Sequence, residues 1–183
     1  MNYADIKFPD VANGIGVRVS LFVSGCTHHC KGCFNSEAWD FNYGTKFDDD
    51  AKNKIFNLFE NNQYIDGITI LGGEPMEVQN QLFLYPFLKE FKEKFPNKTI
   101  WIYSGYTYEE LCSWCSNDIL DRCYCEYTDK ITSMIDVLVD GEFIDQLKDI
   151  RLRFRGSSNQ RVIDMKKTID RGCRNSEPIL FCE

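Results

Sequence analysis

The chain has 183 residues, of which 43% are hydrophobic and 27% are charged, and this composition is typical of a folded globular protein. Its 28 acidic and 21 basic side chains give a net charge of −7, so we do not expect it to bind nucleic acid. No apolar run is long enough to span a membrane, and the first residues lack the features of a signal peptide. We therefore expect a cytoplasmic protein with one domain over residues 1–183.

The positive charge is concentrated near the end of the chain. Residues 148–174 hold nine basic and three acidic side chains, whereas the rest of the chain is strongly acidic. A basic segment on an acidic protein indicates an anionic ligand or an acidic partner, although a solvated surface would have the same composition.

Strands and helices are predicted to alternate along the chain. Runs of β-branched and apolar residues predict strands at 17–23, 67–71, 98–103 and 134–139, with two weaker strands at 151–154 and 162–164. Helical periodicity predicts helices at 48–60, 79–95 and 108–115, the second of them bent at Pro86. A complete eight-unit barrel takes roughly 250 residues. The fold class predicted is therefore α/β, with a partial, open β/α barrel of about four to six mostly parallel strands.

Nine cysteines are unusual for a chain without an export signal, and they favour metal binding or redox chemistry over a disulfide framework. Cys26, Cys30 and Cys33 follow the first predicted strand, close enough for one short loop to surround a metal centre. Thiolates suit iron–sulfur clusters or zinc. A zinc site completed by His28 or His29 and cysteines without any ligand remain alternatives, but the spacing favours a 4Fe–4S cluster with one iron left uncovered.

A second motif, Gly72-Gly73-Glu74-Pro75, comes directly after the predicted strand at 67–71. Its two glycines allow the backbone to approach a ligand closely, and Glu74 adds a negative charge suited to an amine. Such a tetrapeptide is often only a turn. Because the carboxyl ends of parallel strands meet at one edge of a sheet, we expect this motif to lie beside the cysteine loop.

The cysteine spacing followed by Gly-Gly-Glu-Pro resembles the radical S-adenosylmethionine superfamily. The stretches 10–26, 101–106, 136–141 and 154–161 are similar to the activating enzymes of anaerobic ribonucleoside-triphosphate reductases. The resemblance implies an oxidoreductase that cleaves S-adenosylmethionine reductively at a 4Fe–4S cluster to a 5′-deoxyadenosyl radical. That radical would take a hydrogen from a glycine of the reductase large subunit. A low-potential electron donor of the flavodoxin or ferredoxin type is implied as well, without a membrane or nucleic acid partner.

The resemblance also implies roles for individual residues. Cys26, Cys30 and Cys33 would hold one cluster, whose fourth iron would take the amino and carboxylate groups of S-adenosylmethionine. The residues implied to bind this cofactor are Gly32, Phe34, Gly72, Gly73, Glu74, Pro75 and Ser104. Gly32 stands where many members carry an aromatic residue, so Phe34 is the candidate for packing against adenine. Ser104 is the candidate for the carboxylate or the ribose, and His28 and His29 are expected beside the cluster or toward solvent.

Three alternatives to this function remain open: activation of another glycyl-radical enzyme, a small radical enzyme acting on a nucleoside, and a zinc-binding interaction module. Four further thiols follow one another as Cys112, Cys115, Cys123 and Cys125, enough for zinc or a second cluster. Their apolar neighbours favour simple packing, so we predict a single cluster and no stoichiometric zinc. Asp136 or Asp140 could bind ribose or a cation at the site, or be satisfied at a strand end. Arg155 and Arg161 could meet the cofactor or the partner, or be surface charges.

Overall fold

A computed structural model describes residues 1–112, 122–171 and 177–181. Its strands are β1 (Asn2–Asp10), β2 (Arg18–Val23), β3 (Thr45–Lys46), β4 (Gly67–Gly72), β5 (Thr99–Tyr103), β6 (Val137–Asp140) and β7 (Arg161–Asp164). They form one sheet in the order β3-β1-β2-β4-β5-β6-β7. The central strands β2, β4, β5 and β6 are parallel, and the three outer strands pair antiparallel. The predicted α/β class is confirmed, but the sheet is larger than expected and its margins are antiparallel.

In the described part of the chain, five α-helices accompany the sheet: α1 (Asp49–Asn61), α2 (Val78–Lys94), α3 (Tyr108–Leu111), α4 (Thr128–Met134) and α5 (Met165–Asp170). The predictions for α1 and α2 are confirmed to within a residue or two at each end, and Pro86 lies inside α2. The third predicted helix begins at Tyr108 but ends at Leu111, where Cys112 caps it. Residues 113–115 of that prediction lie outside the described residues.

The core lies between the central strands and the longer helices. Each strand contributes every second residue to it, as in Val19 and Leu21 of β2 and in Ile68 and Ile70 of β4. Aromatic side chains of α1 and α2 pack against this face, with the rings of Phe56 and Phe87 stacked 5.9 Å apart. Burial of these apolar surfaces fixes which face of each strand the helices cover.

The opposite face of the central strands is polar at their amino ends. Arg18 is 1% exposed and donates to Thr69 Oγ1 at 2.6 Å and to Thr99 Oγ1 at 3.0 Å, while the ring of Trp101 lies 5.3 Å away. Burial lowers the pKa of Arg18 to about 10, which leaves the side chain charged at neutral pH. This network joins β2, β4 and β5, and its buried cation is satisfied by the chain itself.

One strand prediction was confirmed only in its second half, and another was wrong. The apolar run predicted as a strand at 134–139 is divided, because Met134 ends α4 and β6 begins only at Val137. Residues 151–154 form turns, and Phe154 has a left-handed φ of 58° that no strand accommodates. The remaining weak prediction, at 162–164, is confirmed as β7.

All four central strands end at the same edge of the sheet, and each continues into a loop there. These loops comprise residues 24–33 after β2, 73–77 after β4, 104–107 after β5 and 141–160 after β6. The predicted meeting of the two sequence motifs at one edge is thereby confirmed. Within the described ranges, no helix is both long and apolar enough to cross a membrane.

Candidate functional site

A cleft opens at the carboxyl ends of the central strands. Eight residues singled out in the sequence line it: Cys26, His28, Cys30, Phe34, Gly72, Gly73, Glu74 and Ser104. Other lining residues come from the ends of β4 and β5 and from the loop after β6, including Tyr103, Gly105, Phe143 and Gln160. Gly32, Cys33 and Pro75, which were also predicted, adjoin the lining in the chain but are not part of it.

The cysteine loop is fixed by backbone contacts with its neighbours. The Gly25 N–H donates to Ala38 O at 2.8 Å, and the Gly25 carbonyl accepts from the Glu74 N–H at 2.8 Å. Gly25 has a φ of +96°, and a Cβ there would overlap the ring of Phe41. Farther along, the Cys33 N–H donates to Cys30 O at 3.2 Å and draws this part of the loop into a turn. The loop is therefore held directly against the turn that follows β4.

The pKa values of two thiols of the cysteine loop, Cys26 and Cys30, are raised above the ordinary value. Burial, together with the negative charge of Glu74, raises the pKa of Cys26 to about 12. Burial and the facing Glu142 carboxylate raise the pKa of Cys30 to about 11. A bound metal must displace both protons, and its positive charge then stabilises the thiolates.

The histidines of the loop do not join the thiols in a single-ion site. Among the described residues, no three His, Cys, Asp or Glu side chains form a group able to hold one metal ion. His28 faces Glu74 and packs on the Tyr106 ring at 4.4 Å, whereas His29 stacks on Trp39 at 4.7 Å. The His28 side chain is only 9% exposed, so this residue of the cysteine loop is directed away from solvent.

Glu74 is buried and its carboxylate is engaged by the chain's own donors. Oε1 accepts from Ser104 Oγ and from the Met76 N–H, both at 2.8 Å, and Oε2 accepts from the Gly105 N–H at 2.6 Å. His28 Nε2 lies 3.2 Å from Oε2, without the alignment of a hydrogen bond. Burial would lower the pKa of His28, but the Glu74 carboxylate outweighs it and raises that pKa.

Ser104 directly follows β5 and lies on the wall of the cleft. Its hydroxyl donates its hydrogen to Glu74. The same oxygen accepts from the Tyr106 N–H at 3.1 Å, so one of its two lone pairs is also occupied. A hydroxyl has only one hydrogen to donate. Ser104 can therefore accept one further hydrogen bond, but it can donate to a ligand only by releasing Glu74.

The rim of the cleft brings the cysteine loop against the loop after β6. Phe34 is 81% exposed, and Lys148 Nζ lies 4.8 Å from the centre of its ring. Gly32 has a φ of +77°, and a Cβ there would lie 2.9 Å from an oxygen of Asp145. This crowding is a physical reason for glycine at position 32, where the resemblance would have led us to expect an aromatic residue.

Gln160 holds the loop after β6 over the cleft. Its side-chain oxygen Oε1 accepts from the Gly156 N–H at 2.8 Å and from the Ser157 N–H at 3.1 Å. Its side-chain Nε2 donates to Gly141 O at 2.9 Å. In the sequence, Gly156 and Gln160 stand out only as members of the family-like stretch 154–161. Their part in shaping the rim depends on contacts that residue spacing does not reveal.

Three of the four charged residues considered above have partners outside the cleft. Asp136 accepts from the Ile100 N–H and pairs with Lys92 and Lys166, and these contacts together overcome the effect of burial and lower its pKa. Arg161 pairs with Asp140 and Glu109, so both aspartates are satisfied at the ends of β6 by the chain itself. Arg155 instead donates to the backbone carbonyl of Gln160, which lines the cleft, at 2.9 Å.

Two members of the second set of cysteines, Cys123 and Cys125, are in contact with the chain's own groups. Cys123 is fully buried, and its thiol lies 3.9 Å from Glu110 O; Cys125 Sγ lies 3.4 Å from Gln81 Oε1. Cys112 caps α3. Cys115 lies outside the described residues, and the remaining three cysteines form no metal-binding group with described His, Asp or Glu side chains.

Comparison with known proteins agrees with this geometry. Residues 12–163 match the family model of a 4Fe-4S single cluster domain. The anaerobic ribonucleoside-triphosphate reductase-activating protein of Haemophilus influenzae is 41% identical over 87% of this chain and 96% of its own length. Its namesake from Escherichia coli K12 is 36% identical over 88% and 97%, and that of bacteriophage T4 is 33% identical over 88% and 93%. The chain therefore belongs to the family of anaerobic ribonucleoside-triphosphate reductase-activating proteins.

Proposed function

We propose that this protein activates an anaerobic ribonucleoside-triphosphate reductase by installing a glycyl radical on its large subunit. The observation that carries the proposal is the convergence of Cys26 and Cys30 with Gly72–Glu74 in one cleft at the ends of parallel strands. When bound, the 4Fe–4S cluster and S-adenosylmethionine supply the one-electron chemistry that allows a hydrogen to be taken from glycine. The chain supplies binding, orientation and the exclusion of water and oxygen.

Cys26, Cys30 and Cys33 are the proposed cluster ligands, and their surroundings fit that role. Three thiols within eight residues form a soft donor set, which suits iron. The turn between Cys30 and Cys33 bends the loop as a compact centre requires. Three protein ligands leave one iron for the amino and carboxylate groups of S-adenosylmethionine.

The proposed cofactor contacts follow from the donors and acceptors along the cleft. Gly72 and Gly73, at the end of β4, offer backbone to the cofactor amine, and Pro75 ends this turn. Because the Ser104 hydrogen is directed at Glu74, its remaining lone pair suits a ribose hydroxyl better than a carboxylate. Phe34 is proposed to pack against adenine from the rim, where it now contacts Lys148, and Gly32 gives the loop room beneath Asp145.

The fold proposed around this site is an open β/α barrel over a single domain, residues 1–183, in the cytoplasm.

The reductase is proposed to dock at the cleft edge, and a flavodoxin- or ferredoxin-type protein to deliver the electron. The basic segment 148–174 would contribute through only some of its charges. Arg151, Arg161, Lys166 and Lys167 are paired with carboxylates of the chain. Salt-independent association with the reductase would remove this segment from the docking surface.

The function is tested by mixing anaerobically reconstituted protein, S-adenosylmethionine, a low-potential reductant and the reductase from the same organism. We expect the electron paramagnetic resonance signal of a glycyl radical on the reductase, and none with Cys30→Ala. A reductase with its radical-bearing glycine replaced by alanine is the matched control. Cleavage of the cofactor without a radical on the reductase would favour one of the radical-enzyme alternatives, another glycyl-radical enzyme or a nucleoside substrate.

A further inference from the structure

We infer that Glu74 is a positioning residue: its carboxylate holds His28 of the cysteine loop against the end of β5 and so sets where the cluster stands relative to the cofactor. This role rests on the proposed cluster and on S-adenosylmethionine, and it does not depend on the reductase. It assigns Glu74 a task different from the one expected in the sequence, where its charge was to meet the cofactor amine.

The Glu74 carboxylate is already surrounded by the chain's own groups. It is 1% exposed and accepts hydrogen bonds from the Ser104 hydroxyl and from two backbone N–H groups. These occupy three of the about four lone-pair sites of a carboxylate. The His28 imidazole stands 3.2 Å from Oε2, without the alignment of a hydrogen bond, and an amine would have to move it or displace one of the three donors.

These contacts join three separate segments of the chain, the loops that follow β2, β4 and β5. His28 lies in the cysteine loop, two residues after Cys26, and Ser104 and Gly105 directly follow β5. A Cβ at Gly105 would lie 2.6 Å from His28 Nε2, so the absence of a side chain there lets the imidazole approach. The position of His28 is thus determined from both sides, by Glu74 and by the backbone at Gly105.

A second carboxylate of the same turn holds the neighbouring residue of the loop. Glu77 Oε1 accepts from the Thr27 N–H at 3.0 Å and from the Thr27 hydroxyl, and the Tyr106 hydroxyl lies 3.2 Å away. The Arg122 guanidinium donates to Thr27 Oγ1 at 2.6 Å. Both residues that follow Cys26 are therefore fixed by acidic side chains of residues 73–77, and charge-assisted contacts of this kind are the stronger ones.

Glu74→Gln tests the inference because it keeps the shape and removes the charge. The carboxylate has two acceptor oxygens, whereas the amide of this variant has one oxygen and one N–H₂ group. The N–H₂ group therefore faces either the Gly105 N–H or the Met76 N–H and cannot accept from it. The measurement is titration of S-adenosylmethionine into anaerobically reconstituted, reduced protein, followed by the electron paramagnetic resonance spectrum of the cluster. We expect near-normal iron content and an altered spectrum of the cofactor-bound state. The S-adenosylmethionine concentration at the midpoint of the titration should rise about tenfold or more.

Two further variants act on the same contact without changing Glu74. His28→Phe keeps the packing on Tyr106 but removes the imidazole nitrogen, and Gly105→Ala pushes the imidazole away. Both should alter the cofactor-bound spectrum in the same direction as Glu74→Gln. Asp136→Asn is the matched control: it neutralises a buried carboxylate that accepts a backbone N–H at the opposite edge of the sheet. That variant should leave the spectrum and the midpoint unchanged.

The double variant Glu74→Gln/His28→Phe separates positioning from direct contact. If Glu74 acts through His28, the effects on the midpoint are not additive, and the double variant resembles Glu74→Gln alone. Additive effects would assign Glu74 to the cofactor itself and overturn the inference. An unchanged spectrum and midpoint in Glu74→Gln, or in both His28→Phe and Gly105→Ala, would overturn it as well. None of these outcomes depends on whether the reductase is the partner.

Discussion

Cys26 and Cys30 line an open cleft, whereas Cys123 and Cys125 are in contact with the chain's own backbone and side chains. Both segments show cysteines at close spacing in the sequence. At the cleft, the thiols stand beside glycine-rich backbone at the carboxyl ends of the parallel strands. In the second segment, the Cys123 thiol fills part of the core and the Cys125 thiol contacts Gln81. With Cys26 and Cys30 as the proposed cluster ligands, the surroundings and not the spacing distinguish the two kinds of cysteine segment.

The largest expected effect follows replacement of the cleft cysteines. Each of Cys26→Ala, Cys30→Ala and Cys33→Ala should abolish retention of the cluster and cleavage of S-adenosylmethionine, because two thiolates hold a 4Fe–4S cluster poorly. Iron content and cofactor cleavage after anaerobic reconstitution measure this. Full iron content and activity in any one of the three would show that its cysteine is not a ligand.

Gly73→Val should weaken binding of both the cofactor and the cluster. A Cβ at Gly73 would lie 2.6 Å from Gly25 O and 3.0 Å from Ala38 O, so a branched side chain both blocks the backbone and displaces the cysteine loop. We expect the iron content to fall because the loop moves, and the dissociation constant of S-adenosylmethionine to rise about tenfold or more, as when a charge-assisted hydrogen bond is lost. Unchanged affinity would exclude contact between this backbone and the cofactor amine.

The stability of the cluster-free protein should fall at alkaline pH. The folded state holds the Cys26 proton more tightly than the unfolded chain, whose thiols have an ordinary pKa of about 8.5. That stabilisation is complete below the ordinary value and is lost as the pH rises toward the folded-state pKa of about 12. Denaturant unfolding should show a loss of up to about 1.4 kcal/mol per pH unit that Cys26→Ala lacks. Equal slopes in the two proteins would contradict the raised pKa.

The smallest effect is expected in the second cysteine segment. Cys123→Ser should lower the free energy of unfolding by about 1–3 kcal/mol, because a hydroxyl replaces a sulfur in a fully buried site. Cys125→Ser, at a partly exposed position, should cost less. Neither should change the iron content. A loss of iron in either variant would place that thiol at a metal and remove the distinction between the two segments.

Sequence patterns predicted the centre of the fold better than its margins. Runs such as Gly67–Leu71 are rich in β-branched residues and are bounded by turns, so their strands were identified closely. β1 was missed because it combines exposed charged residues with a proline near its end. The run at 134–139 misled because a short apolar stretch does not distinguish the end of a helix from a strand.

The candidate site was predictable where its residues are adjacent in the chain. The spacing of Cys26, Cys30 and Cys33 and the Gly-Gly-Glu-Pro turn identified the two halves of the cleft. The contacts that bind these halves together join residues far apart in sequence, such as Glu77 with Thr27 and Glu74 with Ser104. No local pattern reports such pairs, because only the folded sheet brings the two loops to one edge.

Metal analysis of the anaerobically reconstituted protein tests the central claim most directly. The account predicts about four irons per chain and no stoichiometric zinc, with the same content in Cys123→Ser/Cys125→Ser and none in a variant lacking Cys26, Cys30 and Cys33. About eight irons per chain, or one zinc that disappears in Cys123→Ser/Cys125→Ser, would contradict the assignment of a single cluster to the cleft.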